Sequence, residues 1–223
     1  RTDNYITSKY LWGANSGSVS SNSRVTIVNE NIANYNVTLG EHELGMMGGF
    51  TYQQYTARSM GLSGSGFISD TPGTDQIGAA SNFGTPSTGY TKWTLTSWLG
   101  RVNYSYKDRY LATVSMRADG SSRYSKGSKW GYFPSVALAW RITEEPFMKA
   151  VPQISNLKLR VGYGETGSTA ISPYATLNML SQGKQPIGNG LGTYYAAGST
   201  LPSDLKWETT AQWNLGGDLG LLD

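Results

Sequence analysis

The sequence of 223 residues predicts an all-β fold, an antiparallel transmembrane β-barrel segment, and three observations carry that prediction. Large apolar side chains recur at every second position in one segment after another, which is the spacing of a strand with two unlike faces. The links between segments alternate between short turns and long Gly/Ser/Thr-rich stretches, as in barrels that keep short turns at one membrane surface and long loops at the other. In the later segments the charged residues all share the face opposite the apolar one.

The elements follow in order. A first strand is placed within residues 1–12. The next carries Val25, Ile27, Tyr35, Val37 and Leu39 on odd positions, and a Gly40-Glu41-His42-Glu43 turn ends it. Its return partner puts Leu44, Met46, Gly48, Phe50 and Tyr52 on one face. Trp98, Val102, Tyr104 and Tyr106 then oppose Arg101, Asn103 and Ser105, and after the turn Lys107-Asp108-Arg109 the pattern restarts as Tyr110, Ala112, Val114, Met116 and Ala118. Three further segments repeat it: Tyr132 to Ile142, Leu157 to Gly164, and Trp207 to Leu215, the last with Trp207, Thr209, Ala211, Trp213 and Leu215 on the apolar side. Short links fall near 40–43 and 107–109, a moderate one at 143–156, and long ones at about 59–91, 119–131 and 166–205.

Alternation alone also fits a soluble antiparallel sheet with one wet face. Three features favour lipid. The segments run to roughly ten residues, the length a tilted strand needs to cross the hydrocarbon. Aromatic residues gather at segment ends, with Tyr104, Tyr106, Tyr110 and Trp140 near short links and Trp93, Tyr132, Tyr163 and Trp207 near long ones, as in interfacial girdles. Arg101, Arg117, Arg141, Lys158, Arg160 and Glu208 all avoid the apolar face, where a midplane Arg or Lys costs about 2–4 kcal/mol.

Composition removes several classes. The absence of cysteine excludes disulfides and thiolate metal sites. No apolar run reaches the roughly 18 residues of a membrane-spanning helix. A net charge of +3 spread along the chain gives no footprint for nucleic acid. For an exported protein, Arg1 and Asp223 both read as interior positions of a longer chain.

The segment Ala118-Asp119-Gly120-Ser121-Ser122-Arg123-Tyr124, then Trp130-Gly131-Tyr132-Phe133-Pro134-Ser135-Val136 and Ala139-Trp140-Arg141-Ile142-Thr143-Glu144-Glu145, resembles the barrel of SusC/RagA-type TonB-linked outer-membrane transporters of Bacteroidetes. Leu157 to Gly164 with its Glu165-Thr166-Gly167 exit, and Leu205-Lys206-Trp207-Glu208-Thr209-Thr210, extend the likeness. The resemblance implies about seven or eight strands of a larger, plugged barrel of the 22-strand kind. It implies an importer in the cell outer membrane that takes up oligosaccharides or peptides. A SusD-like surface lipoprotein would be its lid and the TonB complex its energy source. No plug domain, TonB-contacting segment or N-terminal extension is recognised, so residues 1–223 are expected to be one partial barrel.

On that basis Arg101, Arg117, Asp119, Arg141, Arg160 and Glu208 are expected to line the lumen. Among the loop aromatics Phe67, Phe83, Tyr90, Tyr174, Tyr194 and Tyr195, the four tyrosines are candidate contacts for a glycan or peptide ligand or for the lid protein. Asp119 also reads as fixing the Gly120-Ser121-Ser122 turn through backbone N–H groups. Gly162 to Gly167 spells G-x-G-x-x-G, but no apolar helical face follows to hold a pyrophosphate. His42 reads as part of a solvated turn, and Glu144-Glu145 as a polar stop rather than an acid–base pair. No metal, cofactor or catalytic constellation is expected. The competing class is a non-transporting β-protein, either a soluble glycan-binding sandwich or an outer-membrane adhesin.

Overall fold

A computed structural model describes residues 1–7, 15–177, 179–188, 190–198, 201–202 and 204–221. The part of the first expected strand on residues 8–12 lies outside the described residues. The strands are β1 (Thr2–Ile6), β2 (Ser16–Leu39), β3 (His42–Ser65), β4 (Asn82–Phe83), β5 (Ser87–Tyr106), β6 (Tyr110–Ser121), β7 (Trp130–Arg141), β8 (Ile154–Ser168), β9 (Leu180–Ile187), β10 (Gly190–Ala197) and β11 (Glu208–Leu221). Their pairing order is β1-β2-β3-β5-β6-β7-β8-β11, with β4 against β3 and β9 against β10 in a separate hairpin. Among the described residues this is an antiparallel meander that begins at β1 and ends at β11, as expected of a barrel segment.

The chain divides into two compact units, Arg1–Ile27 with Gln54–Trp93, and Val28–Gln53 with Thr94–Asp223. In the first, buried Asn15 holds the chain after β3: its Nδ2 donates to the Phe67 carbonyl and to Asp70, and its Oδ1 accepts from the Phe67 N–H. Phe67 is thereby buried beside Tyr5, with ring centroids 5.6 Å apart. Trp93 stacks on Tyr55 at 5.4 Å.

The second unit carries the two faces. Directly opposed residues share a face, and Val102, Val114, Val136 and Tyr163 stand opposite one another in sequence across β5 to β8, with Trp213 of β11 opposite Tyr163. One row toward the short turns, Tyr104, Ala112, Leu138, Val161 and Leu215 align in the same way. Val114 is 51% exposed, Trp213 75% and Leu215 83%. Among the described residues no second layer covers this apolar sheet. The other face alternates with it: Asn103, Thr113, Ala137, Gly162 and Asn214 form one of its rows.

Several boundaries differ from expectation. Gly40, in the left-handed region at φ 61°, and Glu41 make a tight turn, and His42 already belongs to β3. There its ring stacks on Tyr106 at 4.7 Å, and its Nδ1 lies 2.7 Å from the Tyr104 hydroxyl. The expected long links shrink to residues 66–86, 122–129 and 169–207, the last containing the β9–β10 hairpin. Ser59-Met60-Gly61-Leu62-Ser63 extends β3, with Met60 and Leu62 continuing its even-numbered apolar positions between small residues that make the segment read as a loop. Gly162 to Gly167 lies within β8, with no helix after it.

Candidate functional site

The polar face of the second unit gathers side chains that the β5–β6 turn brings into register. Pairing Tyr106 with Tyr110 places Arg101 opposite Ser115, Leu99 opposite Arg117 and Ser97 opposite Asp119. Arg117 Nε donates to both Asp119 carboxylate oxygens at 2.8 Å, and Nη2 donates to Ser97 Oγ at 3.1 Å. Asp119 and Ser97 are buried, whereas the Arg117 side chain is 47% exposed. The Asp119 carboxylate thus holds an arginine, and the expected backbone turn is corrected: Gly120 and Ser121 continue β6, and the Arg123 N–H is taken by Ser121 Oγ.

Arg101, Arg117 and Asp119 line one concavity of about 530 Å³, with Leu99, Phe133 and Ser135. Ser115 and Ser135 hydroxyls meet at 3.1 Å beside it. The other candidates are not part of this group. Arg160 bonds Asp218 across strands at 2.8 Å and lines a separate hollow with Lys158 and Asn214. Arg141 is spent on the short-turn end, where it bonds the Asp108 carbonyl at 3.2 Å, the Asp108 carboxylate and Glu144 at 3.1 Å. Glu208 opens β11 opposite Ser168.

That short-turn end is built around Glu145, which accepts from Tyr110 Oη at 2.6 Å, Trp140 Nε1 at 3.1 Å and Arg109 at 3.4 Å. These donors, the Tyr110 hydroxyl first, lower its pKa by favouring the ionised form. Glu145 is therefore an anchor, more than the polar stop expected of it. Lys107 reaches Glu41 at 3.1 Å, and the contact raises its pKa.

At the opposite end the links 122–129 and 169–207 are tied together. Arg123 Nη1 donates to the Ile171 carbonyl, Thr176 Oγ1 to the Arg123 carbonyl and Trp207 Nε1 to the Lys129 carbonyl. The Trp207 ring packs on Tyr124 at 5.4 Å and Phe133 at 5.5 Å. This corrects its expected place on the apolar face: β11 starts only at Glu208, and Phe133 shares its row with Arg117 and Leu99. Burial, the largest influence, raises the Tyr124 pKa.

The tyrosine candidates are spread out. Tyr90 lies in β5 of the first unit rather than in a loop, with Arg58 5.6 Å over its ring. In the second unit Tyr174 sits before β9 at φ 67°. In the β9–β10 hairpin the Tyr194 ring covers Gly183, while neighbouring Tyr195 pairs with Gln182 and is 66% exposed. Sequence reasoning missed Ser97, although counting back from the 107–109 turn places it opposite Asp119. Among the described residues no His, Asp and Glu group has the arrangement of a metal site.

Comparisons with known proteins fit this geometry. The family model described as TonB dependent receptor-like, beta-barrel matches residues 1–223. TonB-dependent receptor SusC of Bacteroides thetaiotaomicron is 46% identical over 140 residues, 60% of this chain and 14% of that protein. TonB-dependent receptor P3 of Formosa agariphila is 34% identical over 196 residues, 88% of this chain and 20% of that protein. The chain thus spans about a fifth or less of the curated relatives it matches. The structure of the RagAB peptide transporter superposes with a TM-score of 0.82 at 23% identity, over 93% of this chain and 23% of that one.

Proposed function

Because this chain belongs to the TonB dependent receptor-like β-barrel family, on its SusC/RagA-type side, we propose that it is part of the wall of an outer-membrane importer. The apolar rows through Val114 and Leu138 meet lipid, and the opposite face lines the passage. One observation carries the reading: five strands keep two apolar rows in register, Val102-Val114-Val136-Tyr163-Trp213 and Tyr104-Ala112-Leu138-Val161-Leu215, and confine Arg101, Arg117 and Arg160 to the other side. A soluble sandwich would need a second layer on that apolar face.

The short-turn end, where His42, Tyr106, Tyr110 and Trp140 follow one another as stacked rings, is the periplasmic boundary. The tied links at 122–129 and 169–207 are extracellular. The full-length protein would carry a plug, draw energy through the TonB complex and close under a SusD-like lipoprotein, with oligosaccharides or peptides as cargo. Tyr90, Tyr174, Tyr194 and Tyr195 remain the candidate contacts for cargo or lid, Tyr195 foremost by its exposure.

The natural full-length gene product tests this. It should fractionate with outer membranes, co-purify with the lipoprotein encoded beside it, and support nutrient uptake only in cells with an intact TonB complex. Recovery in the soluble fraction without detergent, or uptake unchanged after its deletion, contradicts the reading.

A further inference from the structure

We propose that Arg117 and Arg101 form a carboxylate-binding subsite on the polar wall, which engages acidic groups of the cargo; this rests on the importer reading. Arg117 is held along one edge of its guanidinium, by Nε on both Asp119 oxygens and by Nη2 on Ser97. Its Nη1 has no bonded partner among the described residues. Asp119 and Ser97 are 8% and 1% exposed, so a buried carboxylate and a buried hydroxyl both serve to aim a half-exposed cation. An ordinary surface ion pair is exposed on both sides and contributes little. A supported, pre-aimed donor is instead what recognition sites require.

Arg101 supplies the second cation. It stands opposite Ser115, with Arg117 two positions along the same strand, a diagonal of about 7–8 Å with the Cβ atoms somewhat closer. Among the described residues Asp119 pairs with Arg117, and Arg101 has no ion-pair partner. Glu165 also lines the concavity, and its carboxylate takes the Tyr163 hydroxyl at 2.5 Å. Leu99 and buried Phe133 supply apolar surface beside the charges, which strengthens a charge-assisted hydrogen bond. The planar guanidinium edge matches a planar carboxylate through two parallel bonds. A concavity of about 530 Å³ accommodates a small ligand unit.

The test uses the full-length transporter with its lipoprotein, purified in detergent, and three probes: tetragalacturonate, triglutamate and neutral maltotetraose. At least one acidic probe should bind, more weakly as salt rises, and maltotetraose should not depend on either arginine. Arg101→Gln and Arg117→Gln should each weaken the acidic probe about tenfold, and Arg101→Lys less than Arg101→Gln. Which acidic probe responds separates a uronate from a peptide source.

Among the described residues Arg101 holds no ion pair, so its variants report even if Arg117→Gln fails to fold. Acidic probes that bind neither the native protein nor its variants, or bind all of them alike, overturn the subsite. So does a lower thermal midpoint of the unliganded Arg101→Gln protein, which would mean that a carboxylate of the same polypeptide occupies the arginines. These outcomes leave the importer reading standing; absence from the outer membrane sinks that reading independently.

Discussion

The Tyr110 hydroxyl donates a 2.6 Å hydrogen bond to Glu145 Oε1, and that one carboxylate joins the start of β6 to the turn that follows β7. Trp140 Nε1 donates to the same oxygen, and Arg109 closes the other side. Aromatic rings at a membrane boundary present a polar tip to the wet side, and here two tips converge on one anion.

A pH dependence follows from Glu145. Its pKa is lowered in the folded protein, so its stabilising contribution is present above the ordinary carboxylate range and is lost as pH falls through the lowered value. The native full-length barrel should lose thermal stability over that acid interval, and Glu145→Gln should be less stable at neutral pH with a flatter acid limb. Identical pH profiles for the two proteins would remove the anchor.

Close packing around Phe133 makes a second prediction. A Cβ at Gly167 would lie within 2.8 Å of several Phe133 ring atoms, and the ring is buried with little room to swing. Gly167→Ala should destabilise by about 1–3 kcal/mol, read as a lower melting temperature of the detergent-solubilised full-length barrel. Gly167→Ala with Phe133→Leu should recover part of the loss.

Trp207 ties the two long links at the end opposite the short turns. Trp207→Ala removes the bond to Lys129 and the ring contacts with Tyr124 and Phe133, a loss of about 2 kcal/mol at a partly exposed site. Protease added to intact cells should cut within residues 169–207 faster in this variant, while the barrel strands stay protected. Trp207→Phe should fall between the two, because it keeps the ring contacts and loses only the hydrogen bond.

The strand faces were legible wherever large side chains alternate about a short turn. From Trp98 to Ile142 the parity of Val102, Val114 and Val136 and the turn at 107–109 together determine the observed register. Parity failed at Trp207, whose ring follows the local end of β11 rather than the strand pattern. At Ser59 to Ser65 only Met60 and Leu62 carry the alternation, and the Ser and Gly around them read as a loop. The β9–β10 hairpin was unreadable because exposed Leu180, Leu191 and Tyr195 pack on no core that would impose alternation. Within the candidate site the arginines could be read from the sequence. Asp119 was assigned to a backbone turn because its pairing with Arg117 depends on side-chain geometry that spacing does not encode.

The central claim is that one face of this sheet meets lipid and the other does not. Spin labels at single cysteines, introduced at Thr113, Val114, Ser135 and Val136 of a cysteine-free full-length protein in bilayers, test it most directly. Val114 and Val136 should collide with dissolved oxygen more than with a water-soluble nickel chelate, and Thr113 and Ser135 should show the reverse or a markedly lower oxygen preference. Equal preference at neighbouring positions, or oxygen preference at Thr113 and Ser135, would contradict the account.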